Sequence, residues 1–262
     1  MDSPANRMPA DVIGRSPEPV LFKGLAGSWP AVTRWTPDFL KALAADRTVS
    51  IVRGDREQDR PEFESMKLAD FFEHCFSAEE DTGSMLYLKE FDLLEELPEL
   101  MRDVDFSCLT FPRSRSYHDA WIGQRGARTG LHCDIFNNFL THIAGRKEVV
   151  LIPPERTKDV YPSDKFDFCA RLSRLNGFEP DLKRFPRFAR ALEASRTIVL
   201  EPGDIVYIPK RWWHQVASLT PTISLAGFVT GWPDKMGLFM ERIRRRTHNL
   251  GLYKKGNCTC HE

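Results

Sequence analysis

The sequence predicts a mainly β protein, an antiparallel barrel or jelly roll that follows a mixed α+β layer and ends in a helix. From about residue 117 onward, eight short apolar stretches are separated by turns rich in Gly, Pro and Asp. Strands at such close spacing are typical of jelly rolls and barrels. Before that point, strand-like and helix-like patterns alternate. A fold of this kind accommodates all 262 residues in a single domain.

The N-terminal layer is expected to span residues 17–116, after a flexible arm at 1–16 that lacks periodicity. Thr36 and Pro37 provide an N-cap and a first helical position for its first helix. Strands are predicted at 19–24, 49–53 and 85–90. Helices are predicted to begin at residue 35 and to cover 67–76 and 93–101.

The jelly-roll core is expected at residues 117–232, interrupted by a polar, Arg- and Phe-rich insertion at 162–195 that contains some helix. A C-terminal helix is predicted within 233–250, followed by a tail at 251–262. The end of the tail, Cys258-Thr-Cys260-His261, is predicted to be disordered, and a metal-binding end is the alternative. The core strands are predicted at 120–123, 130–136, 138–143, 148–152, 197–200, 205–208, 215–219 and 223–229.

Composition excludes several classes of protein. Lys plus Arg (37) equals Asp plus Glu (37), so no charge excess favours a nucleic acid or an anionic membrane as partner. No apolar run reaches the roughly 18 residues that span a bilayer, and the N-terminus lacks the apolar region of a signal peptide. The six scattered cysteines are typical of reduced thiols. We therefore expect a cytoplasmic protein.

Two imidazoles and one carboxylate stand out as candidate metal ligands. His132 and Asp134 are two residues apart in Thr129-Gly-Leu-His132-Cys-Asp134, and His214 ends Trp212-Trp213-His214. In a strand, residues two apart face the same side, so His132 and Asp134 project together while Cys133 points away. With His214 they form the ligand set of a non-haem Fe(II) oxygenase, which keeps open positions on the metal. The alternative is a pair of polar residues on the wet face of a strand.

Lys147 is a second candidate because it borders the apolar stretch at 148–152, one strand past the histidine motif. A lysine that points into a barrel needs an anionic partner, since a buried unpaired charge is costly. A dicarboxylate co-substrate would supply that partner. An ordinary turn lysine in solvent is the alternative interpretation.

Taken together, these motifs resemble the JmjC, or cupin-like, Fe(II)/2-oxoglutarate oxygenases. The chain is most similar to the small-JmjC protein hydroxylase branch, which includes the asparaginyl hydroxylase of hypoxia-inducible factor. The resemblance covers about residues 17–232. It is carried by segments 19–24, 28–31, 121–123, 129–140, 143–147, 153–154, 160–162 and 202–214.

The resemblance implies a double-stranded β-helix, the jelly roll of cupins, with flanking helices. It implies that His132, Asp134 and His214 bind Fe(II), and that dioxygen and 2-oxoglutarate are the co-substrates. Lys147 and Thr129 are implied to hold the distal carboxylate of 2-oxoglutarate. Two further residues, Tyr87 and Asn138, are implied to contact the same co-substrate.

The implied reaction is hydroxylation of a protein or peptide side chain, with succinate and CO2 as co-products. Alternatives are demethylation of N-methylated lysine or arginine, hydroxylation of a small metabolite or peptide natural product, and a non-catalytic cupin that only binds. At Ala226-Gly227-Phe228 the chain lacks the asparagine that the asparaginyl hydroxylase has beside its iron. The apolar stripe of the C-terminal helix (Met236, Phe239, Met240 and Ile243) suggests a homodimer through that helix.

Overall fold

The computed structural model describes residues 16–44, 46–53, 62–77, 85–109, 115–230 and 234–258. Within these residues the strands are β1 (Val20–Phe22), β2 (Thr48–Arg53), β3 (Glu62–Lys67), β4 (Leu86–Phe91), β5 (Arg115–Gly123), β6 (Arg128–Asp134), β7 (Asn137–Ala144), β8 (Lys147–Ile152), β9 (Ala170–Leu172), β10 (Arg196–Leu200), β11 (Ile205–Ile208), β12 (Trp213–Ser218) and β13 (Thr222–Thr230). The α-helices are α1 (Pro30–Arg34), α2 (Pro37–Ala44), α3 (Leu68–Phe76), α4 (Leu93–Glu96), α5 (Phe188–Glu193) and α6 (Asp234–Asn249). Short 3-10 helices lie at Pro98–Asp103, Phe106–Leu109 and Pro154–Arg156.

The strands form two antiparallel sheets. The larger has eight strands in the order β1-β11-β7-β13-β5-β4-β2-β3, and the smaller has five in the order β10-β8-β12-β6-β9. From β5 to β8, and again from β10 to β13, consecutive strands alternate between the two sheets, whereas β8, β9 and β10 all belong to the smaller one. The two sheets therefore face each other as a jelly roll. Strands β2, β3 and β4 of the N-terminal layer extend the larger sheet beyond β5. The predicted jelly-roll core with flanking helices is confirmed.

Apolar side chains form three clusters that fix these layers. The largest packs the N-terminal helices against the larger sheet and includes Leu40, Phe71 and Ile122. A second cluster contains residues of both sheets, among them Leu151 and Val206. The third covers the other face of the smaller sheet with the insertion, and it includes Val160, Phe188 and Trp213. The smaller sheet is therefore buried on both faces.

The predicted helix at 93–101 is wrong as a continuous element. Helix α4 ends at Glu96, and a 3-10 helix begins at Pro98. Proline has no N–H to donate and disfavours helical dihedrals at the residue before it. Leu97 accordingly has φ −126° and ψ 72°. The predicted cap of α2 is present, because the Phe39 amide donates to Thr36 Oγ1 at 3.2 Å.

The tail is folded as far as residue 258, which is the first residue of the end predicted to be disordered and the last residue of the tail that the structure describes. The Phe166 amide donates to the Asn257 carbonyl at 2.9 Å. The Phe166 ring lies 4.5 Å from the His248 ring and 5.7 Å from the Tyr253 ring, as measured between centroids. The tail thus ties helix α6 to the insertion.

The remaining predicted segments have mixed outcomes. The insertion contains some helix, as predicted, in α5, but strand β9 was not predicted. Residues 1–15 of the predicted arm, and Cys260 and His261 of the tail, lie outside the described residues. Among the described helices, none has the length and hydropathy needed to cross a membrane.

Candidate functional site

His132, Asp134 and His214 come together on the smaller sheet. Strands β6 and β12 are antiparallel neighbours, and their register pairs His132 directly with His214. The two imidazole centroids are 4.1 Å apart. Asp134 follows on the same face of β6, and one ligand atom of each residue lies within 4.8 Å of the others. Cys133 faces the opposite way, into the third apolar cluster, as the strand alternation predicted.

Hydrogen bonds fix the orientation of both imidazoles. His132 Nδ1 lies 2.7 Å from the Gly130 carbonyl oxygen, and His214 Nδ1 lies 3.1 Å from the Trp212 carbonyl oxygen. A carbonyl only accepts, so each Nδ1 carries the proton and each Nε2 keeps its lone pair. Both Nε2 atoms face Asp134, at 3.8 Å for His132 and 3.6 Å for His214. This is the arrangement that histidine ligands adopt at metal centres.

The electrostatics of the three groups suit a divalent cation. Burial, together with the neighbouring His132, lowers the pKa of His214 to about 4, although Asp134 opposes the shift. Burial also raises the pKa of Asp134, although His214 and a hydrogen bond from Asn138 oppose this shift. Two neutral imidazoles and one carboxylate direct three lone pairs and one negative charge toward the same place. A cation bound there would stabilise the ionised carboxylate, and two histidines with one carboxylate are the ligand set of non-haem oxygenase iron.

Asn138, on β7 of the larger sheet, holds the carboxylate from the other side. Its Nδ2 donates to Asp134 Oδ2 at 3.3 Å. Its Oδ1 is buried and has no hydrogen-bond partner among the described residues. Because Asn138 also lines the central cavity, this oxygen is available to a bound molecule.

Lys147 is the second feature of the site. It is 1% exposed and lines the same cavity. Its ammonium makes no hydrogen bond or ion pair with the residues that the structure describes, and burial lowers its pKa to about 7. A lysine aimed into a cavity under these conditions favours an anionic ligand. The solvent-exposed turn lysine considered from the sequence is excluded.

The distance between Lys147 and the metal ligands suits a small dicarboxylate. Lys147 pairs with Ser218, four residues beyond His214 on β12. At about 3.3 Å per residue this places the two levels roughly 13 Å apart along the strand. Lys147 therefore lies some distance along the sheet from the metal ligands, so a small dicarboxylate could meet the ammonium with one end and the metal with the other.

Thr129 and Tyr87 lie at the same end of the cavity. The Tyr87 hydroxyl and Thr129 Oγ1 are hydrogen-bonded at 3.2 Å. Thr129 pairs with Val216, which lies on β12 midway between His214 and Ser218. The ring of Tyr87 lies 6.0 Å from that of Trp121, between centroids. The structure therefore brings together all seven residues that the sequence analysis singled out, and all seven line one cavity.

This cavity has a volume of about 1170 Å³. The insertion forms part of its wall, since Ser163, Leu172 and Leu175 line it. Residues 103–117 are not among the described lining residues. Helix α6 and the tail contribute instead, from Leu238 to Cys258. Periodicity alone does not show that a C-terminal helix returns to the mouth of a barrel.

Ala226 and Phe228, at the departure from the hydroxylase pattern, both line the cavity. Gly227 faces outward, where a Cβ would lie 2.9 Å from the His118 ring. His118 stacks on Phe106 with ring centroids 3.5 Å apart and is not among the described lining residues. The two ring nitrogens of His142 lie 3.0 Å from Ser224 Oγ and 2.8 Å from the Gly145 carbonyl oxygen, so this buried histidine is satisfied within the core.

A carboxylate pair on the larger sheet was missed by the sequence analysis. Asp119 lines the cavity beside Trp121 on β5, and Glu90 lines it from a bulge in β4. Burial, together with the nearby carboxylates Asp92 and Glu90, raises the pKa of Asp119 to about 6. The available signal was an aspartate directly before the strand predicted at 120–123.

Comparisons with known proteins match most of the chain to one family and to several of its relatives. The cupin-like domain family matches residues 5–229. Lysine-specific demethylase 8 of Danio rerio is 35% identical over 218 residues, which cover 80% of this chain and 52% of that protein. Jumonji C domain-containing protein 5 of Drosophila melanogaster is 28% identical over 218 residues, 80% of this chain and 54% of the relative. HSPB1-associated protein 1 of Homo sapiens is 28% identical over 258 residues, covering 90% and 52%. The chain thus spans about half the length of these relatives.

Proposed function

Because this chain belongs to the cupin-like family of JmjC domains, we propose that it is an Fe(II)- and 2-oxoglutarate-dependent dioxygenase. Its proposed reaction is the hydroxylation of a side chain in a protein or peptide. The observation that carries this proposal is the pairing, in one cavity, of His132, Asp134 and His214 with the buried ammonium of Lys147. A site that bound only a metal would have no use for that ammonium.

The residues of the chain have distinct roles in this reaction. Bound iron and 2-oxoglutarate supply the activation of dioxygen, with succinate and CO2 as co-products. His132, Asp134 and His214 would hold the iron, and Asn138 keeps the Asp134 carboxylate oriented. Lys147 neutralises the distal carboxylate of 2-oxoglutarate.

Other residues position the co-substrate and keep water away from it. Thr129 and Tyr87 place two hydroxyl groups at the end of the cavity where Lys147 begins its strand. Trp121, Leu140 and Val216 give the wall between these groups and the metal ligands an apolar surface. A dry wall strengthens each polar contact to the co-substrate and limits side reactions with water. Orientation of the bound groups is the contribution that the fold makes to the rate.

The direct test is anaerobic binding of Fe(II) and 2-oxoglutarate, followed by succinate release in air. We expect wild type to release succinate without added substrate, and the His132→Ala variant to release none. His74→Ala is the matched control, because His74 is exposed on α3, away from the cavity. Metal binding without succinate release would instead support a cupin that only binds.

Oxidative N-demethylation of lysine or arginine is the second candidate. Asp119 and Glu90 place carboxylates on the wall of the cavity, where they favour a cationic side chain. Two of the relatives described above carry names that include lysine-specific demethylase or the Jumonji C domain. Hydroxylation of an N-methyl group gives a product that loses formaldehyde, so the same iron chemistry serves both reactions.

Mass spectrometry separates the two candidates. A peptide library is incubated with the loaded enzyme, and each product is weighed. The gain of one oxygen atom without formaldehyde indicates stable hydroxylation. The loss of a methyl group with formaldehyde indicates demethylation. Modification of a small metabolite, with no change in any peptide, would contradict the proposed substrate class.

A further inference from the structure

Five arginines converge on the outer part of the cavity. Arg174 and Arg184 come from the insertion, and Arg242, Arg245 and Arg246 come from helix α6. All five are exposed. The three on α6 are spaced i, i+3 and i+4, which places them on one face of the helix. We call these five residues the arginine wall.

The arginine wall has few carboxylates opposite it. Among the described residues, none of its members forms an ion pair, whereas Arg244, on another face of α6, is paired with Glu241. Arg245 lies over the Phe168 ring, with its guanidinium carbon 4.7 Å from the centroid. The insertion and α6 together line the cavity with six cations, the wall and Lys165, but with only two carboxylates, Asp164 and Asp167. These lining residues of the insertion and α6 therefore carry a net charge of +4.

This positive surface is held in place. The contacts of Phe166 with His248, Tyr253 and Asn257 fix the end of α6 on the insertion. The arginines of the insertion and those of α6 consequently keep a fixed spacing. A preorganised cationic surface loses less entropy when it binds than arginines on a fraying helix would.

We propose that the arginine wall binds an acidic stretch of the polypeptide that carries the reacting side chain. This inference rests on the proposed function, because it assumes that the substrate is a polypeptide. Guanidinium groups bind carboxylates with two parallel hydrogen bonds. Side chains at i and i+4 of a helix lie about 6 Å apart. Alternate residues of an extended peptide are separated by about 7 Å, so Arg242 and Arg246 match two acidic residues at alternate positions.

The carboxylates of the larger sheet argue for a polypeptide over a nucleic acid. Glu90 and Asp119 line the same cavity as the arginines and would repel a phosphodiester chain that entered. A peptide with an acidic stretch next to a neutral or basic reacting residue has no such conflict. The arginine wall and the two carboxylates thus favour different parts of one peptide.

The test measures peptide binding to the full chain by fluorescence anisotropy, without added metal. Three labelled peptides of equal length carry Asp, Asn or Lys at alternate positions. We expect the Asp peptide to bind about tenfold more tightly than the Asn peptide, with an affinity that falls as salt rises. The double variant Arg242→Gln, Arg246→Gln should lose about tenfold in affinity for the Asp peptide. Arg174→Gln, which changes the other side of the wall, should also weaken binding.

Arg244→Gln is the matched control and should bind the Asp peptide as wild type does. Equal affinities for the Asp and Asn peptides would overturn the proposal, as would an equal loss in Arg244→Gln and in the double variant. Tighter binding of a single-stranded RNA of the same charge would overturn it as well. Succinate release by wild type is measured separately. Its absence, with selective Asp-peptide binding intact, would reject the oxygenase and leave the arginine wall as a peptide-binding surface.

Discussion

Replacement of Lys147 by methionine should stabilise the free protein and abolish its affinity for 2-oxoglutarate. Methionine fills nearly the same volume without a charge, and no described residue loses a hydrogen bond. The buried ammonium lowers the stability of the unliganded chain and is needed to bind the ligand. Its removal should therefore raise the free energy of unfolding while it weakens ligand binding.

The size of the effect follows from the pKa of Lys147. Burial lowers this pKa from 10.5 to about 7. One pKa unit corresponds to about 1.36 kcal/mol, so the charged form costs about 5 kcal/mol at pH values below 7. Between the two pKa values the unfolded chain binds more protons than the folded chain, and stability rises with pH. For wild type relative to Lys147→Met, the rise from pH 7 to pH 9 should be about 2 kcal/mol.

Urea unfolding of the metal-free protein at pH 6, 7 and 9 measures these differences. We expect Lys147→Met to be more stable than wild type at pH 6, with the gap closing as pH rises. Its affinity for 2-oxoglutarate, measured anaerobically with Fe(II), should fall at least about thirtyfold. Lys183→Met, at an exposed position outside the cavity, should leave both quantities unchanged. A variant that is less stable than wild type and retains full 2-oxoglutarate affinity would refute the reasoning.

Three further changes test other parts of the structure. Asn138→Ala removes the donor that orients Asp134, so Fe(II) affinity should fall about 10- to 100-fold; an unchanged titration would contradict this role. Gly227→Ala places a Cβ 2.9 Å from the His118 ring and should lower the free energy of unfolding by about 1–3 kcal/mol. Chemical denaturation measures this loss. The second substitution His118→Ala in the same chain should restore part of it. The exposed apolar stripe of α6, where Phe239 is 58% exposed, predicts a homodimer whose mass by light scattering falls to that of one chain in Phe239→Lys. A monomeric wild type would reject the dimer.

Local patterns carried most of the information about the metal site. Residue alternation was enough to place His132 and Asp134 on one face of a strand and to turn Cys133 away from them. It could not place His214 beside His132, because strand register between distant segments depends on how the whole sheet assembles. The resemblance to known oxygenases supplied that contact in advance, and the pairing of β6 with β12 agrees with it.

The walls of the cavity were harder to predict than its centre. Asp119 and Glu90 belong to different strands, and only the bulge in β4 brings Glu90 to the rim. From the sequence alone, the arginines of α6 would be interpreted as a helix face exposed to solvent. Their place at the cavity depends on Phe166, Tyr253 and Asn257, which have no periodic pattern. Tertiary contacts between a long insertion and a short tail leave little trace in either segment.

The direct pairing of His132 with His214 has a consequence for the motions of the smaller sheet. A cation held by both residues would connect β6 and β12 by a second kind of bond, in addition to their backbone hydrogen bonds. Neither strand could then separate from the other, or slip by one residue, without first releasing the ion. Metal loading should therefore slow amide exchange in these two strands and leave the edge strand β3 unaffected. The bound ion would therefore stabilise only the register that pairs His132 with His214.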